Sequence, residues 1–354
     1  MLQQGQTLNP IFTKPSFKRI EIDSIPDEQL AVFPDRIIHQ TRPWIRFLES
    51  TLGAEPIVAV LRENDRILGY FTGLIVKEFG FKILGSPFPG WSTTYMGFNL
   101  LPGTSRALAL EALADFAFNV LKCDHLELMD RYLLAEDATR LGFEIWDFST
   151  LEVDLAPSED EIFRSFKHQC RNCIRKAARS GITIEEADDS EFAEDYHEQL
   201  KHVFGVKQLP PPFEAQRVRD LITFLFPTGQ LLLLRARNEQ GICIATGIFP
   251  AMNKTMYAWG SASWRQYSNV RPNEALFWYA MKYWKRHGMR TCDLVGAVQY
   301  KEKYGGRRVV VPWIRKSKNR VIAALRTTAE SLILSRPRTV GKLFSLTKRL
   351  LHRR

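Results

Sequence analysis

Side chains able to do chemistry are sparse and scattered in this 354-residue sequence. Five cysteines (Cys123, Cys170, Cys173, Cys243, Cys292) form an odd set, which argues against a disulfide framework and fits a reducing compartment. Only Cys170 and Cys173 have the two-residue spacing of metal or redox chemistry. No second pair or paired histidines complete a zinc site, so no metal is expected. Both thiols fall on the apolar face of Glu161 to Ser180, with Ile162, Phe163, Phe166, Ile174 and Ala177 at three- and four-residue spacing. That pattern reads as small core residues on a helix. The other face carries Arg164, Lys167, His168, Arg171, Arg175, Lys176 and Arg179. Two readings of this row stand: a solvated face, or an anion-binding stripe for phosphates of a cofactor or substrate, with Arg171, Arg175 and Lys176 as candidates. There is no Gly-x-Ser-x-Gly elbow, Walker loop, Gly-x-Gly-x-x-Gly or His-x-x-x-Asp, so the chemistries those motifs serve find no support.

Composition bounds the rest. With 45% apolar and 25% charged residues the chain reads as globular, and its length suits two domains. No stretch reaches the ~18 uninterrupted apolar residues of a membrane span. The nearest, Leu221 to Leu234, is broken by Pro227, Thr228, Gly229 and Gln230. The start, with Gln3, Gln4 and Gln6, lacks a cationic segment followed by an apolar run, so a cytoplasmic location is expected. The net charge of +10 is uneven: residues 315–354 carry +11, and the remainder is close to neutral. That weakens a reading as a nucleic-acid binder. The tail 317–354 holds two amphipathic stripes, Val321 to Ile333 and Val340 to Leu351, the second crowded by Lys342, Lys348, Arg349, Arg353 and Arg354. It fits either peripheral contact with an anionic membrane surface or a helix packed on its own domain.

The elements that must position these residues come in two similar sets. Pro56 to Leu61 and Ile67 to Val76 read as strands around an Asn64-Asp65 turn. After Gly85-Ser-Pro-Phe-Pro-Gly90 and Trp91 to Phe98, a helix runs from Ser105, a suitable cap, to Leu121, and a strand follows at His125 to Met129. In the second half Gln230 to Ala236 and Ile242 to Pro250 flank an Asn238–Gly241 turn, and Thr255 to Ser261 is the next strand. A polar loop then leads to a helix from Pro272 to His287, a stop at Gly288 and a strand Thr291 to Val295. The repeated order predicts an internal duplication. We expect an α/β (α+β) protein with domains 1–155 and 156–316, each a mixed twisted sheet flanked by helices.

Three segments resemble the Fem/CelD-like acyltransferases, a FemAB-related branch of the GNAT superfamily. The most specific is Arg271-Pro-Asn-Glu-Ala-Leu-Phe-Trp-Tyr-Ala280 with Gly288, Asp293 and Tyr300-Lys-Glu-Lys-Tyr-Gly-Gly306. Lys167 to Gly181 resembles the family's basic helix, and Gly85 to Gly97, with Trp91 and Tyr95, its N-terminal half. The resemblance implies two tandem GNAT-like domains and N-acyl transfer by direct attack of an amine on an acyl carbonyl. It implies a donor loop at Trp264 to Arg271, which lacks the usual glycines, with Arg265, Arg271 and Asn273 on the cofactor side. Lys301 is implied as the family lysine, suited to stabilising an oxyanion or a substrate phosphate. Asp293 is suited to orienting or deprotonating the amine, or to capping a turn. Tyr304, Gly305 and Gly306 are implied near the substrate, though packing and a plain turn explain them equally. The implied co-substrate is acyl-CoA (acetyl-CoA or longer), and the implied acceptor is an amine, small or lipid-linked, of a cell-envelope or exopolysaccharide precursor. The alternatives are aminoacyl transfer from tRNA to a peptidoglycan precursor, and a non-catalytic precursor-binding protein.

Overall fold

The computed structural model describes residues 14–24, 27–30, 32–78, 80–88 and 92–335. The expectations placed on Trp91 and on the tail from Arg336 to Arg354 lie outside these residues. Asn64, at φ 54°, and Gly241, at φ 76°, turn the chain back on itself where the two hairpins are expected.

The strands are β1 (Ser16–Ile20), β2 (Glu55–Glu63), β3 (Arg66–Glu78), β4 (Phe81–Ser86), β5 (Gly97–Leu100), β6 (His125–Met129) and β7 (Glu144–Asp154). The second set is β8 (Thr183–Glu186), β9 (Leu231–Arg237), β10 (Cys243–Met252), β11 (Thr255–Tyr257), β12 (Gly260–Ser263), β13 (Thr291–Asp293) and β14 (Arg307–Ser317). All fourteen join one mixed sheet, ordered β1-β2-β3-β4-β6-β14-β7-β13-β11-β10-β9-β8, with β5 on β3 and β12 on β10.

The duplication is explicit in the pairing. A long strand, β3 or β10, is antiparallel to two short successive strands, β4 and β5 or β11 and β12. A helix follows (Arg106–Asp115, continued as a π turn to Val120, or Pro272–Arg286), then a strand parallel to the first short one, β6 to β4 and β13 to β11. The single strand expected from Thr255 to Ser261 is therefore two. Ala258 turns its N–H to Asp293 O, while Gly260 onward pairs with β10.

The halves also trade strands. β14 lies between β6 and β7, antiparallel to both, so the last strand completes the first half's sheet. β7 in turn pairs at Glu152–Asp154 with β13 of the second half. Alternate residues along a strand face opposite layers. Leu232 and Leu234 pack with the helix Pro272–Arg286, whereas Leu231 and Leu233 join a core shared with Trp44, Phe47, Tyr196 and Leu221. On the first half, Ile57, Ala59 and Leu61 pack with Leu110, Leu113 and the last-strand residue Ile314.

The helix expected over Glu161 to Ser180 is two, Glu159–Ser165 and His168–Arg179. Phe166 between them is extended, which sets its ring against Trp278 and Tyr304, and Lys167 N–H donates to Lys303 O. Cys170 is buried and Cys173 partly so; burial raises both thiol pKa values, Cys170 to about 12, in keeping with core residues. Arg326, on the helix Arg320–Ser335, bonds Glu144 and His125, so the first stripe of the tail is tied to the sheet while Val321 and Leu325 stay exposed.

Because Ile314 is fully buried in the first half's core, Ile314→Ala is expected to cost about 2–5 kcal/mol. Urea unfolding with a probe in the first half reads this. An unchanged midpoint there would contradict the strand exchange.

Candidate functional site

β11 and β13 run parallel through Thr255–Tyr257 and Thr291–Asp293 and then part. β12 stays with β10, and β13 turns into a loop, so the sheet opens into a fork. Trp264 N–H donates to Ile244 O at 3.1 Å, which makes these two a hydrogen-bonded pair. By the alternation of an antiparallel ladder, Ala262–Thr246 and Gly260–Ile248 bond likewise. The main-chain groups of Ser261 and Ser263 therefore face the other way, where β12 has no neighbouring strand among the described residues.

The first half shows what it takes to close such an edge. Its outward N–H groups at Met96, Phe98 and Leu100 donate to Met129 O, Asp130 Oδ2 and Asp35 Oδ2. Arg106, at the start of the following helix, holds both carboxylates. Gly97 (φ 83°) is needed there, since a Cβ would meet Asp130 Oδ2 at 2.3 Å. That helix is capped by Ser105 Oγ, whereas the helix Pro272–Arg286 has no side-chain cap and is preceded by Arg271 at φ 63°. The first half has satisfied its edge and its helix start internally; among the described residues the second has left both open.

Asp293 ends β13 with 0% exposure. Its Oδ1 accepts from Thr150 Oγ1 (2.5 Å) and Val295 N (2.7 Å), and its Oδ2 from Tyr95 Oη (2.8 Å). Burial raises its pKa above the ordinary aspartate value, and these hydrogen bonds oppose the rise. Arg131 donates to Tyr95 Oη at 3.3 Å and forms a bidentate pair with Glu152. Beside Tyr95 lie the buried Tyr257, its ring 6.2 Å away, and His39, whose ring is 4.7 Å from that of Tyr257. Burial lowers the His39 pKa to about 3, so it is neutral. A carboxylate so enclosed is placed to position its neighbours, and the expectation that it takes a proton from substrate is corrected accordingly.

Lys301 is buried, 8% exposed, and not in bulk water. Its Nζ donates to Leu294 O (2.5 Å) and Val295 O (3.0 Å), and burial lowers its pKa. It thereby clamps the loop after β13, where Val295 holds φ 54°, a costly conformation for a β-branched residue. Gly296 N–H, bonded to Thr150 Oγ1 at 3.0 Å, completes the brace.

The other expected residues divide. Tyr304 belongs to the core, 2% exposed and stacked on Phe277 at 5.2 Å. Gly305 (φ 69°) abuts Ser165 O, and Gly306 abuts the Glu152 backbone, so both serve close packing. Arg265 is exposed on the segment Arg265–Val270, its backbone N–H donating to His202 Nε2. Asn273 Nδ2 bonds Ser263 Oγ at 2.9 Å, tying the helix start to β12. Arg171 is corrected as a substrate ligand: its guanidinium caps the carbonyls of Arg164 and Phe166. Arg175 lies over the Phe163 ring, 5.3 Å from its centroid. Lys176 and Arg271 share a cleft with His168, Gln169, Asn172 and Cys173. Tyr95, Thr150, Arg131, Glu152, Tyr257 and His39 are absent from the sequence-based candidates for the site. They come from separate segments with no common motif, and only Tyr95 lay in a segment marked by the resemblance.

Among the described residues no cluster of His, Cys, Asp and Glu could hold a metal. No helix of these residues is long and apolar enough to cross a membrane. Residues 164–304 match the family described as acetyltransferase (GNAT) domain. Among solved structures the fold is similar to FemX, with 14% identity, 83% of this chain and 96% of that one covered, and a TM-score of 0.67. It is similar also to a tandem GNAT protein from the clavulanic acid biosynthesis pathway (11% identity, 86% and 99% covered, TM-score 0.53). A third is L-PGS from Bacillus licheniformis (13% identity, 82% and 95% covered, TM-score 0.51). No curated protein matches the sequence.

The raised Asp293 pKa sets a pH signature. Folding favours the protonated carboxyl, so its contribution is complete below the unfolded value near 3.8 and is lost as pH rises through the higher folded value. Asp293→Asn is expected to lessen the decline in Tm from pH 4 upward. An identical slope in both proteins would show that the carboxyl titrates normally.

Proposed function

From the match of residues 164–304 to an acetyltransferase (GNAT) domain, we propose N-acyl transfer from acyl-CoA to an amine of a cell-envelope or exopolysaccharide precursor. The observation that carries this reading is the open outer edge of β12, which leads from the fork to the uncapped start of the helix Pro272–Arg286. An extended donor arm with alternating amide groups can pair with Ser261 and Ser263 as an added strand does. Its diphosphate then meets unpaired helix N–H groups, with Arg271 and Arg265 supplying charge and Asn273 holding the turn.

At the fork, the amine attacks the acyl carbon and the carbonyl oxygen gains charge; as the carbonyl reforms, the C–S bond breaks and CoA leaves as the thiol, with the proton the amine gives up. Lys301 spends two of its three N–H groups on Leu294 and Val295, leaving one for that oxygen. Asp293, through Thr150 and Tyr95, fixes the loop that presents Lys301. A lipid-linked acceptor would suit contact of the tail with an anionic membrane surface. The resemblance to the Fem enzymes keeps aminoacyl transfer from tRNA as the second reading, and the near-neutral charge before residue 315 speaks against it.

Acetyl-CoA at about 100 times its Kd adds about 2.7 kcal/mol of apparent stability, which a thermal-shift assay reads as a rise in Tm. Proline at an outward-facing edge position removes one N–H without breaking the ladder. Ser261→Pro is therefore expected to keep its Tm and weaken acetyl-CoA binding about tenfold, as one hydrogen bond would; undiminished affinity would remove the β12 edge from the donor site. Lys301→Met should retain donor binding and lose turnover by about 10²-fold or more. Full turnover in this variant would end the oxyanion role.

A further inference from the structure

The cleft between the helix His168–Arg179 and the start of the helix Pro272–Arg286 has a volume of about 320 Å³. We infer that it is a phosphomonoester site, and that it takes the 3′-phosphate of the donor nucleotide. The inference rests on the acyl-CoA reading and goes beyond it, because the cleft lies beside the donor loop rather than on the β12 edge.

Three observations bear on it. First, the row of cations read from the sequence is mostly spent. Arg164 bonds Asp160 O, Lys167 lies 3.7 Å from Glu302, Arg171 caps carbonyls and Arg175 covers Phe163. Lys176, which faces the cleft, forms no ion pair among the described residues, and neither does Arg271 across from it. Arg179 lies outside the cleft's lining, so Lys176 and Arg271 are the two cations left to the cleft.

Second, the lining contains no carboxylate: His168, Gln169, Asn172 and Cys173 complete it. The nearby Glu274 is buried and paired to Lys303 at 2.7 Å, so its charge is answered elsewhere. Burial raises the Cys173 pKa, which keeps the thiol neutral. Cations with neutral hydrogen-bonding groups select an anion. Two converging cations favour a phosphomonoester, which carries a charge of about −1.5 to −2 at pH 7, over a diester.

Third, Arg271 belongs both to the cleft and to the end of the loop that leaves β12, in a left-handed conformation that only a fixed geometry retains. A donor laid along β12 therefore reaches the cleft with its nucleotide end.

Titration calorimetry with CoA and dephospho-CoA, on the wild type and on Lys176→Ala, tests the assignment. The wild type is expected to bind CoA at least tenfold more tightly than dephospho-CoA. In Lys176→Ala that gap should shrink to threefold or less through loss of CoA affinity, with dephospho-CoA unaffected. Lys176 is exposed, so the variant should fold, and Lys176→Gln provides a second check. Equal affinities in the wild type would overturn the site while leaving the acyl-CoA reading in place. A gap that survives both variants would place the phosphate elsewhere and overturn it too. Failure of both ligands to bind would remove the site together with the acyl-CoA reading.

Discussion

The hydrogen bond from Ala258 N–H to Asp293 O is the last one that β11 and β13 share, and the rest of the site follows from its being the last. Two parallel strands can part inside a protein only if the main-chain groups exposed by the parting find other partners. On the β13 side they do: Val295 and Gly296 bond the Asp293 and Thr150 side chains, and Lys301 takes the carbonyls of Leu294 and Val295. The polar residues buried around Asp293 are therefore what holds the fork apart. On the β12 side no described strand fills the edge.

The two halves make this argument a controlled comparison within one molecule. The same backbone unit is closed in the first half by Asp35, Asp130 and Arg106, which supply the carboxylates and the cation that a bound ligand and its site would otherwise contribute. The donor reading belongs to the second half for that reason. The matched family covers 164–304 and leaves out the first half, in line with this division.

Much of the architecture was legible in the sequence. Turn residues such as Asn64 and Gly241, the capping Ser105, and the Pro272–Gly288 pair act locally, and local chemistry is what a sequence states openly. The duplication showed for the same reason. The break of one expected strand at Ala258 and of one expected helix at Phe166 did not show. In both, apolar periodicity continues while a distant partner, Asp293 O or the Tyr304 ring, redirects the chain. The site was legible in part. Lys301, Asp293 and Arg271 were found through a resemblance, but their surroundings were not. Arg171 and Tyr304 carry the right residue types and are used for capping and packing. Thr150 and Tyr95 meet Asp293 only because β7 and the segment before β5 converge on β13, a consequence of sheet order, and Arg131 joins them through Tyr95 and Glu152.

The placement of β14 bears on how such a molecule comes to exist. While the chain is being made, the first half holds β6 and β7 long before the strand that belongs between them has appeared. Its sheet carries a gap that closes only when the final strand arrives, after the second half has been synthesised. Pairings over such sequence distances are slow to form and leave strand edges bare in the meantime. The two halves, alike enough to look like separable modules, thus mature together, and a ribosome that stops short of residue 307 leaves neither a finished copy nor a clean fragment.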